Sequence, residues 1–560
     1  MRTQKHKFSM KKNKTRKKAK RMINLGELFS DILIKNNLHF FFGVPSDLNM
    51  PLLDGMIKEP VQFIGCRNEL NAAYMAEGYA RTKYFSYCVV GSMVGSLSAC
   101  NGIANAICEK HPVVLLSGGN NSNDILDGKL SHHTLFKGVE DQDKSYQIYK
   151  TLCGQANSSF INSLNPTGIY NSIFNISESI SNFNSPYVHI PVNLQLVKGK
   201  FDYSDDFSSN FKNKTIDFDR YKFFNIVNNI LQTKFENNIE TMRLLNPVFL
   251  FGSAYNHYTK YITLADDNFY NLIESMNGSL FYTIDAKGIL DETKKCVRGY
   301  YWGGVTEEYK LKYFDSSKLL IYIGVEFSDY TSSGYTCLYN ADITIDCKNI
   351  SILNNRPGKL NNFSLGKVSH KISNSIQEIL DSNTDIFVET GSSWFYGAKM
   401  TLPTGCRYNI SIKYGSIGWC FPASIGNAFA NPDRKTICLT GDGAFQCVLQ
   451  ELATAESYDV NMTLILINND VYQIENVLDV EEYNDLPDFN YESLAKAMKC
   501  KSVTTCTIDN FKKNLELCNC KPGFNILILK ISDKEIDNLM KNWAKLVAKY
   551  TVHFNPRKNI

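Results

Sequence analysis

Two short polar pieces, each closing an apolar run, constrain this chain more than any other feature. Thr436–Thr440 (TICLT) leads into Gly441-Asp442-Gly443, and Met462–Ile467 (MTLILI) leads into Asn468-Asn469. Between them Ala444–Tyr458 reads as a helix, so the stretch is a strand–helix–strand unit. A right-handed crossover makes such strands parallel and brings their carboxyl ends together. Open α/β sheets bind ligands in the crevice outside those ends. Asp442 and Asn469 offer oxygen donors there, a set that suits Mg²⁺ held by one or two protein ligands plus phosphate oxygens. Gly441 and Gly443 let the backbone come close to a diphosphate.

The rest of the chain supports three α/β layers. Its 560 residues suffice for three domains, each with a core. Residues 22–197 alternate helix (Leu25–Asn36, Glu69–Thr82) and strand (His39–Gly43, Tyr87–Val90, Pro112–Leu116), the pattern of a parallel sheet. A polar segment, Lys198–Lys214, reads as a linker. A second block spans residues 217–376, with strands expected at Val248–Gly252, Leu319–Gly324 and Asp342–Asp346. No G-x-G-x-x-G follows these strands, so the block has no dinucleotide role. The third block, residues 385–560, carries the glycine and asparagine motifs.

Composition excludes more than it selects. The net charge of +4 is small for the length, and no apolar run reaches the roughly 18 residues of a membrane span. Sixteen cysteines occur without paired C-x-x-C spacing. Cys500, Cys506, Cys518 and Cys520 read as packing thiols rather than zinc ligands, which points to a reducing, cytoplasmic compartment. Met1–Arg21 holds eleven Lys and Arg and no acid, and is expected to be a disordered basic extension. Lys11–Arg21 within it also has the composition of a nuclear-localisation or nucleic-acid-binding tail.

The spacing of Gly-Asp-Gly and Asn-Asn resembles the diphosphate motif of thiamine-diphosphate enzymes. Six further segments resemble the pyruvate decarboxylase family, in its order and spacing: Phe42–Asp54 (FGVPSDLNMPLLD), Asn68–Arg81 (NELNAAYMAEGYAR), His132-His133, Glu389–Phe395 (ETGSSWF), Gly415–Trp419 (GSIGW) and Asn468–Glu475 (NNDVYQIE). The resemblance runs from about Met22 to the C-terminus. It implies an α/β fold of three open parallel-sheet domains: pyrimidine-binding (22–197), middle (217–376) and diphosphate-binding (385–560). It also implies thiamine diphosphate and Mg²⁺ as cofactors, and a homodimer or homotetramer with active sites between chains. The implied activity is non-oxidative decarboxylation of a small 2-oxo acid through an ylide and an enamine, as in alcoholic fermentation.

Residue roles follow from the same resemblance. Glu69 matches the glutamate that hydrogen-bonds the aminopyrimidine ring. Ile417 matches the bulky residue beneath the folded cofactor, where a β-branched chain is stiff. Gly415 presents its carbonyl to the pyrimidine amino group, and Thr390 joins Gly441, Asp442 and Gly443 in the cofactor-binding set. Asp442, Asn469 and the Val471 carbonyl form the metal set. Asp47, His132, His133 and Glu475 handle protons.

Two departures stand out. Val471 replaces a glycine, and valine penalises positive φ. Val90–Met93 (VGSM) replaces a threonine-bearing stretch near the cofactor. Trp394 narrows the substrate pocket, which favours pyruvate over the enzyme alternative, indolepyruvate or phenylpyruvate. A buried structural tryptophan is the competing expectation at that position. A different class stays open: an inactive scaffold, or a nucleic-acid binder using the basic tail.

Overall fold

The computed structural model describes residues 22–135, 144–201, 239–254, 264, 267–339, 341–346, 349–352, 370–532 and 536–552. The basic extension, most of the expected linker and the last eight residues lie outside them.

Apolar runs become strands buried on both faces, as parallel sheets require. Three six-stranded sheets result. The first contains β1 (Phe40–Gly43), β2 (Gln62–Gly65), β3 (Ser86–Gly91), β4 (Val113–Gly119), β5 (Ser158–Phe160) and β6 (Tyr187–Pro191). The second contains β7 (Val248–Phe251), β8 (Ser279–Thr283), β9 (Val297–Tyr301), β10 (Leu320–Ile323), β11 (Ile343–Asp346) and β12 (Asn349–Ile352). The third contains β13 (Thr384–Val388), β14 (Arg407–Ile410), β15 (Lys435–Gly441), β16 (Met462–Asn468), β17 (Val503–Thr507) and β18 (Phe524–Lys530).

The first sheet has the order β2-β1-β3-β4-β6-β5 and the third β14-β13-β15-β16-β18-β17, the same topology repeated. Both are parallel throughout. The middle sheet departs from the expected all-parallel form at one edge, where β11 and β12 pair antiparallel. Only two residues separate those strands, too few for a parallel crossover.

One expected element is wrong in detail. Ala444–Tyr458 is not a single helix. Helix starts at Asp442, ends at Gln446, and resumes as a 3₁₀ turn Leu449–Glu451 and a helix Leu452–Ser457. The chain leaves helical geometry at Val448 (φ −138°), a buried β-branched side chain. The break turns Glu451 toward the first sheet, where its carboxylate accepts from Arg67 N (2.8 Å) and Asn71 Nδ2 (3.0 Å).

The first and third sheets are joined through two helices, Glu69–Ala80 and Cys420–Ala430, which cross where each presents a glycine. A Cβ on Gly78 would lie 1.9 Å from the Ala423 carbonyl oxygen, and one on Gly426 would lie 1.9 Å from that of Met75. Beside this crossing, buried Glu77 pairs with Arg81 (2.8 Å) and accepts from the Trp419 indole.

Gly426→Ala is therefore expected to destabilise the protein by about 1–3 kcal/mol through overpacking. Gly168→Ala, where a Cβ meets nothing within 4 Å in another helix, is the control and should be neutral or stabilising. Thermal unfolding of the two variants side by side checks this; equal midpoints would mean the crossing tolerates a methyl group.

Candidate active site

The third sheet positions its polar residues by register. Gly441 of β15 pairs with Ile467 of β16, so Asp442 and Asn468-Asn469 emerge side by side. Asp442 Oδ2 accepts from Asn468 Nδ2 (3.1 Å), Asn469 N (2.9 Å) and Asp470 N (2.7 Å). Burial raises the carboxyl's proton affinity, and these donors counter it.

With Oδ2 occupied in this way, Oδ1 is the free face of the carboxylate, taking only Gly443 N at 2.9 Å. Asn469 donates its Nδ2 to Gln473 Oε1 at 3.0 Å. That leaves Asn469 Oδ1 3.1 Å from Asp442 Oδ1 and 3.2 Å from the Val471 carbonyl oxygen. In this orientation of the Asn469 amide three oxygens converge; turned end for end, the amide would instead donate to both neighbours, so the orientation with Nδ2 on Gln473 is the one that suits a cation. Neighbouring vertices of an Mg²⁺ octahedron with bonds of about 2.1 Å lie about 3.0 Å apart, so the donor set fits that ion. Among the described residues no cluster of three His, Cys, Asp or Glu side chains competes as a metal site.

The valine at 471 does not strain this arrangement. Positive φ falls on Asp470 (58°), a residue type that tolerates it, and not on Val471. Val471 instead bridges to Asp485. The concern raised by the missing glycine does not apply.

A cavity of about 330 Å³ opens at the carboxyl ends of β13, β15 and β16. Thr390, Trp394, Gly415, Ile417, Gly441, Asp442, Gly443, Asn469, Val471 and Glu475 all line it. A Cβ on Gly441 would meet nothing within 4 Å, which leaves room for a diphosphate against the backbone. Gly391 and Gly415 hold φ of 105° and 71°, the left-handed region that favours glycine. Ile417 is 41% exposed, an apolar side chain standing in the opening rather than in the core. Partial burial raises the proton affinity of Glu475.

Trp394 is fully buried and yet lines the cavity. It packs edge-on against Tyr330 (5.8 Å) and Trp543 (6.2 Å), while its indole Nε1 has no hydrogen-bond partner. The two expectations for this residue are compatible: it is a structural tryptophan whose one face is a cavity wall.

The remaining residues singled out in the sequence sit elsewhere. Asp47, Glu69 and His132 follow β1, β2 and β4, at the carboxyl edge of the first sheet. Asp47 Oδ2 lies 2.9 Å from His132 Nε2, and both side chains are exposed. The His132 and His133 rings meet edge-on at 4.6 Å; His133 has φ 62° and a buried Nδ1 without a partner. Glu69 opens its helix half-buried, facing Val90 and Gly95: a Cβ on Gly95 would lie 3.2 Å from Glu69 Oε1. Just before Gly95, Met93 of the VGSM stretch adopts φ 59°, ψ −82°, a strained γ-turn geometry. None of these four residues lines the cavity of the third sheet.

Two residues escaped the sequence reading. Tyr330, on a loop after β10, contributes its ring to the cavity beside Gly415 and Trp394. A polar Ser-Asp-Tyr-Thr-Ser stretch after an apolar strand was the available signal. Glu389, at the end of β13, lies under the cavity; it is fully buried, and burial pushes its carboxyl up to about 8. An acid directly after an apolar strand and two residues before a glycine was the signal there.

Residues 23–143 match the family model described as the N-terminal TPP-binding domain of thiamine pyrophosphate enzymes, and residues 389–527 match the C-terminal TPP-binding domain. A pyruvate decarboxylase of Arabidopsis thaliana is 30% identical over 517 residues, 85% of this chain and 81% of the relative. A pyruvate decarboxylase of Neurospora crassa is 29% identical, covering 94% and 96%. A probable pyruvate decarboxylase of Schizosaccharomyces pombe is 28% identical, covering 95% and 98%.

The raised Glu389 carboxyl has a consequence for stability. The unfolded chain releases this proton near pH 4.5, whereas the folded chain keeps it to about 8. Between those values the folded state binds more protons, so this contribution is full below pH 4.5 and is lost as pH rises through 8. Urea unfolding of the cofactor-free protein at pH 5.5 and 8.5 should show the wild type losing stability relative to Glu389→Gln, which lacks the titration. A difference that stays constant with pH would contradict this.

Proposed function

The chain belongs to the thiamine-diphosphate-dependent 2-oxo acid decarboxylase family, and from that premise we propose that it converts pyruvate to acetaldehyde and CO₂. The observation that carries the reading is the convergence of Asp442 Oδ1, Asn469 Oδ1 and the Val471 carbonyl at the mouth of the third sheet. Pyruvate is favoured by the relatives' names and by Trp394 and Tyr330, whose rings close one side of the cavity. Bound thiamine diphosphate supplies the electron sink that decarboxylation of a 2-oxo acid needs.

The chain's own residues do the rest. Asp442, Asn469 and Val471 would hold Mg²⁺, and Gly441 leaves space beside them for a diphosphate. Glu69 would hold a proton at the aminopyrimidine, Gly415 would offer it a carbonyl and Ile417 would brace the cofactor when it binds. Glu475 stands at the cavity wall, where partial burial raises its proton affinity, as a proton-transfer role requires. Asp47, His132 and His133 form the second proton-handling group.

These groups lie on two faces of one chain, so a complete site needs a second copy, and the working form is a dimer or a pair of dimers. Exposed apolar side chains beside both faces support this: Leu130 (73%) next to the histidines and Val480 (73%) beyond Glu475. Among the described residues no helix is long and apolar enough to cross a membrane. The Cys420 and Cys438 sulfurs lie 3.4 Å apart as free thiols, which suits a reducing cytoplasm. There the aldehyde would pass to a reductase, as in fermentation.

A panel of pyruvate, 2-oxobutyrate, branched 2-oxo acids, phenylpyruvate and indolepyruvate, with Mg²⁺ and thiamine diphosphate, tests the reading. Pyruvate should have the highest kcat/KM, and better turnover of an aromatic acid would replace it with the aromatic alternative. Trp394→Leu should move the phenylpyruvate-to-pyruvate ratio upward by roughly tenfold, the range of a one-pocket contact. Chelation of Mg²⁺ should abolish activity reversibly, and Asp442→Ala should abolish it with Mg²⁺ present. Absence of turnover on every acid, with salt-sensitive RNA binding, would favour the basic extension as the functional part.

A further inference from the structure

Beneath the cavity one carboxyl group touches three separate segments that line it. Glu389 Oε1 accepts from Thr390 N at 2.9 Å. Its Oε2 accepts from Cys420 N at 3.1 Å, with the Gly418 amide also directed at the carboxylate. Thr440 Oγ1 stands 3.5 Å from the same Oε2, at the outer limit of a hydrogen bond. Thr390 and Gly391 form the first segment of the wall. Gly418–Cys420 follows directly on Gly415 and Ile417, the second segment. Thr440 precedes Gly441 and Asp442, the third.

A group with no exposure and this set of donors has no route to solvent or substrate. Among the described residues no cation pairs with it; backbone amides and one hydroxyl hold it instead. Thr390 completes the tie, because its hydroxyl reaches the Ser416 carbonyl at 3.3 Å and the Ser411 carbonyl at 3.4 Å. Removing this side chain would leave the Thr390, Cys420 and Gly418 amides without their acceptor and release the segments from one another.

We propose that Glu389 is a positioning residue that clamps the three cavity-lining segments into the geometry that receives the cofactor. The inference rests on the proposed reading of that cavity as the thiamine-diphosphate site. Glu389 acts through the Thr390, Cys420 and Thr440 contacts and makes no contact of its own with substrate. A side chain one methylene shorter cannot reach Thr390 N and Cys420 N together.

The test uses the full-length cofactor-free protein, with Glu389→Asp and Glu389→Ala beside the wild type. Thiamine diphosphate is titrated in excess Mg²⁺ and followed by tryptophan fluorescence. Amide hydrogen exchange is measured without cofactor across residues 390–393, 415–420 and 440–443. The clamp predicts about tenfold weaker binding for Glu389→Asp, with faster exchange in those three segments and unchanged exchange in the first sheet. General destabilisation would instead lower the titration amplitude without moving its midpoint, and that result overturns the proposal. So does wild-type affinity within twofold in a folded Glu389→Asp protein. If Glu389→Ala does not fold, Glu389→Asp decides alone. Failure of the wild type itself to bind thiamine diphosphate would defeat the reading of the cavity rather than the clamp.

Discussion

The geometry of the site depends on one carboxylate being held by three donors. Asp442 Oδ2 takes a side-chain amide and two consecutive backbone amides from the turn after β16. That arrangement locks the end of β15 to the end of β16 and fixes the torsion of Asp470. It also leaves Oδ1 as the free face, pointed at Asn469 Oδ1. Placing acceptors against one another is costly without a proton or cation between them. The fold tolerates that cost where a divalent ion would turn it into binding energy.

A second constraint keeps the two sheets of like topology in a fixed relation. The glycine crossing of Glu69–Ala80 with Cys420–Ala430 permits backbone contact that no larger residue allows. Around it the polar ties are buried: Glu77 with Arg81 and Trp419, and Glu451 with Arg67 and Asn71. Buried ion pairs contribute little net stability, but a specific set of partners defines one docking geometry. The helix that carries Glu69 is therefore braced by its own third sheet while Glu69 itself faces Val90 and Gly95, away from that sheet's cavity. One chain thus displays two separate sets of polar groups, at the carboxyl ends of the first and third sheets.

How much of this was legible in the sequence varies by residue and for physical reasons. Strands β3, β4, β15 and β16 were readable because fully buried parallel strands are continuous apolar runs bounded by glycine or asparagine. The Gly441–Asp442 and Asn469 placement followed from crossover handedness alone. The broken helix after Gly443 was not readable, since its sequence keeps helical periodicity while Glu451 is drawn aside by partners some 380 positions earlier. The question raised by Val471 was settled by the local turn: the positive φ there falls on Asp470, and Val471 has none. Tyr330 and Glu389 lay in plain view, one in a polar loop and one at a strand end. Nothing local said that both would meet at the same cavity.

The sequence by itself determined the fully buried strands, the crossover and the Asp442 and Asn469 donors. Those depend on alternation, apolar runs and turn chemistry within a few dozen residues. Only the tertiary structure decided that one end of the Asn469 amide lies 3.1 Å from Asp442 Oδ1 and 3.2 Å from the Val471 carbonyl. It alone placed a ring from the middle sheet against the cavity and left Glu69 and the histidines outside it. Such relations are set by close packing between distant segments, where a glycine crossing or a buried carboxylate selects one arrangement, and no local pattern encodes that choice.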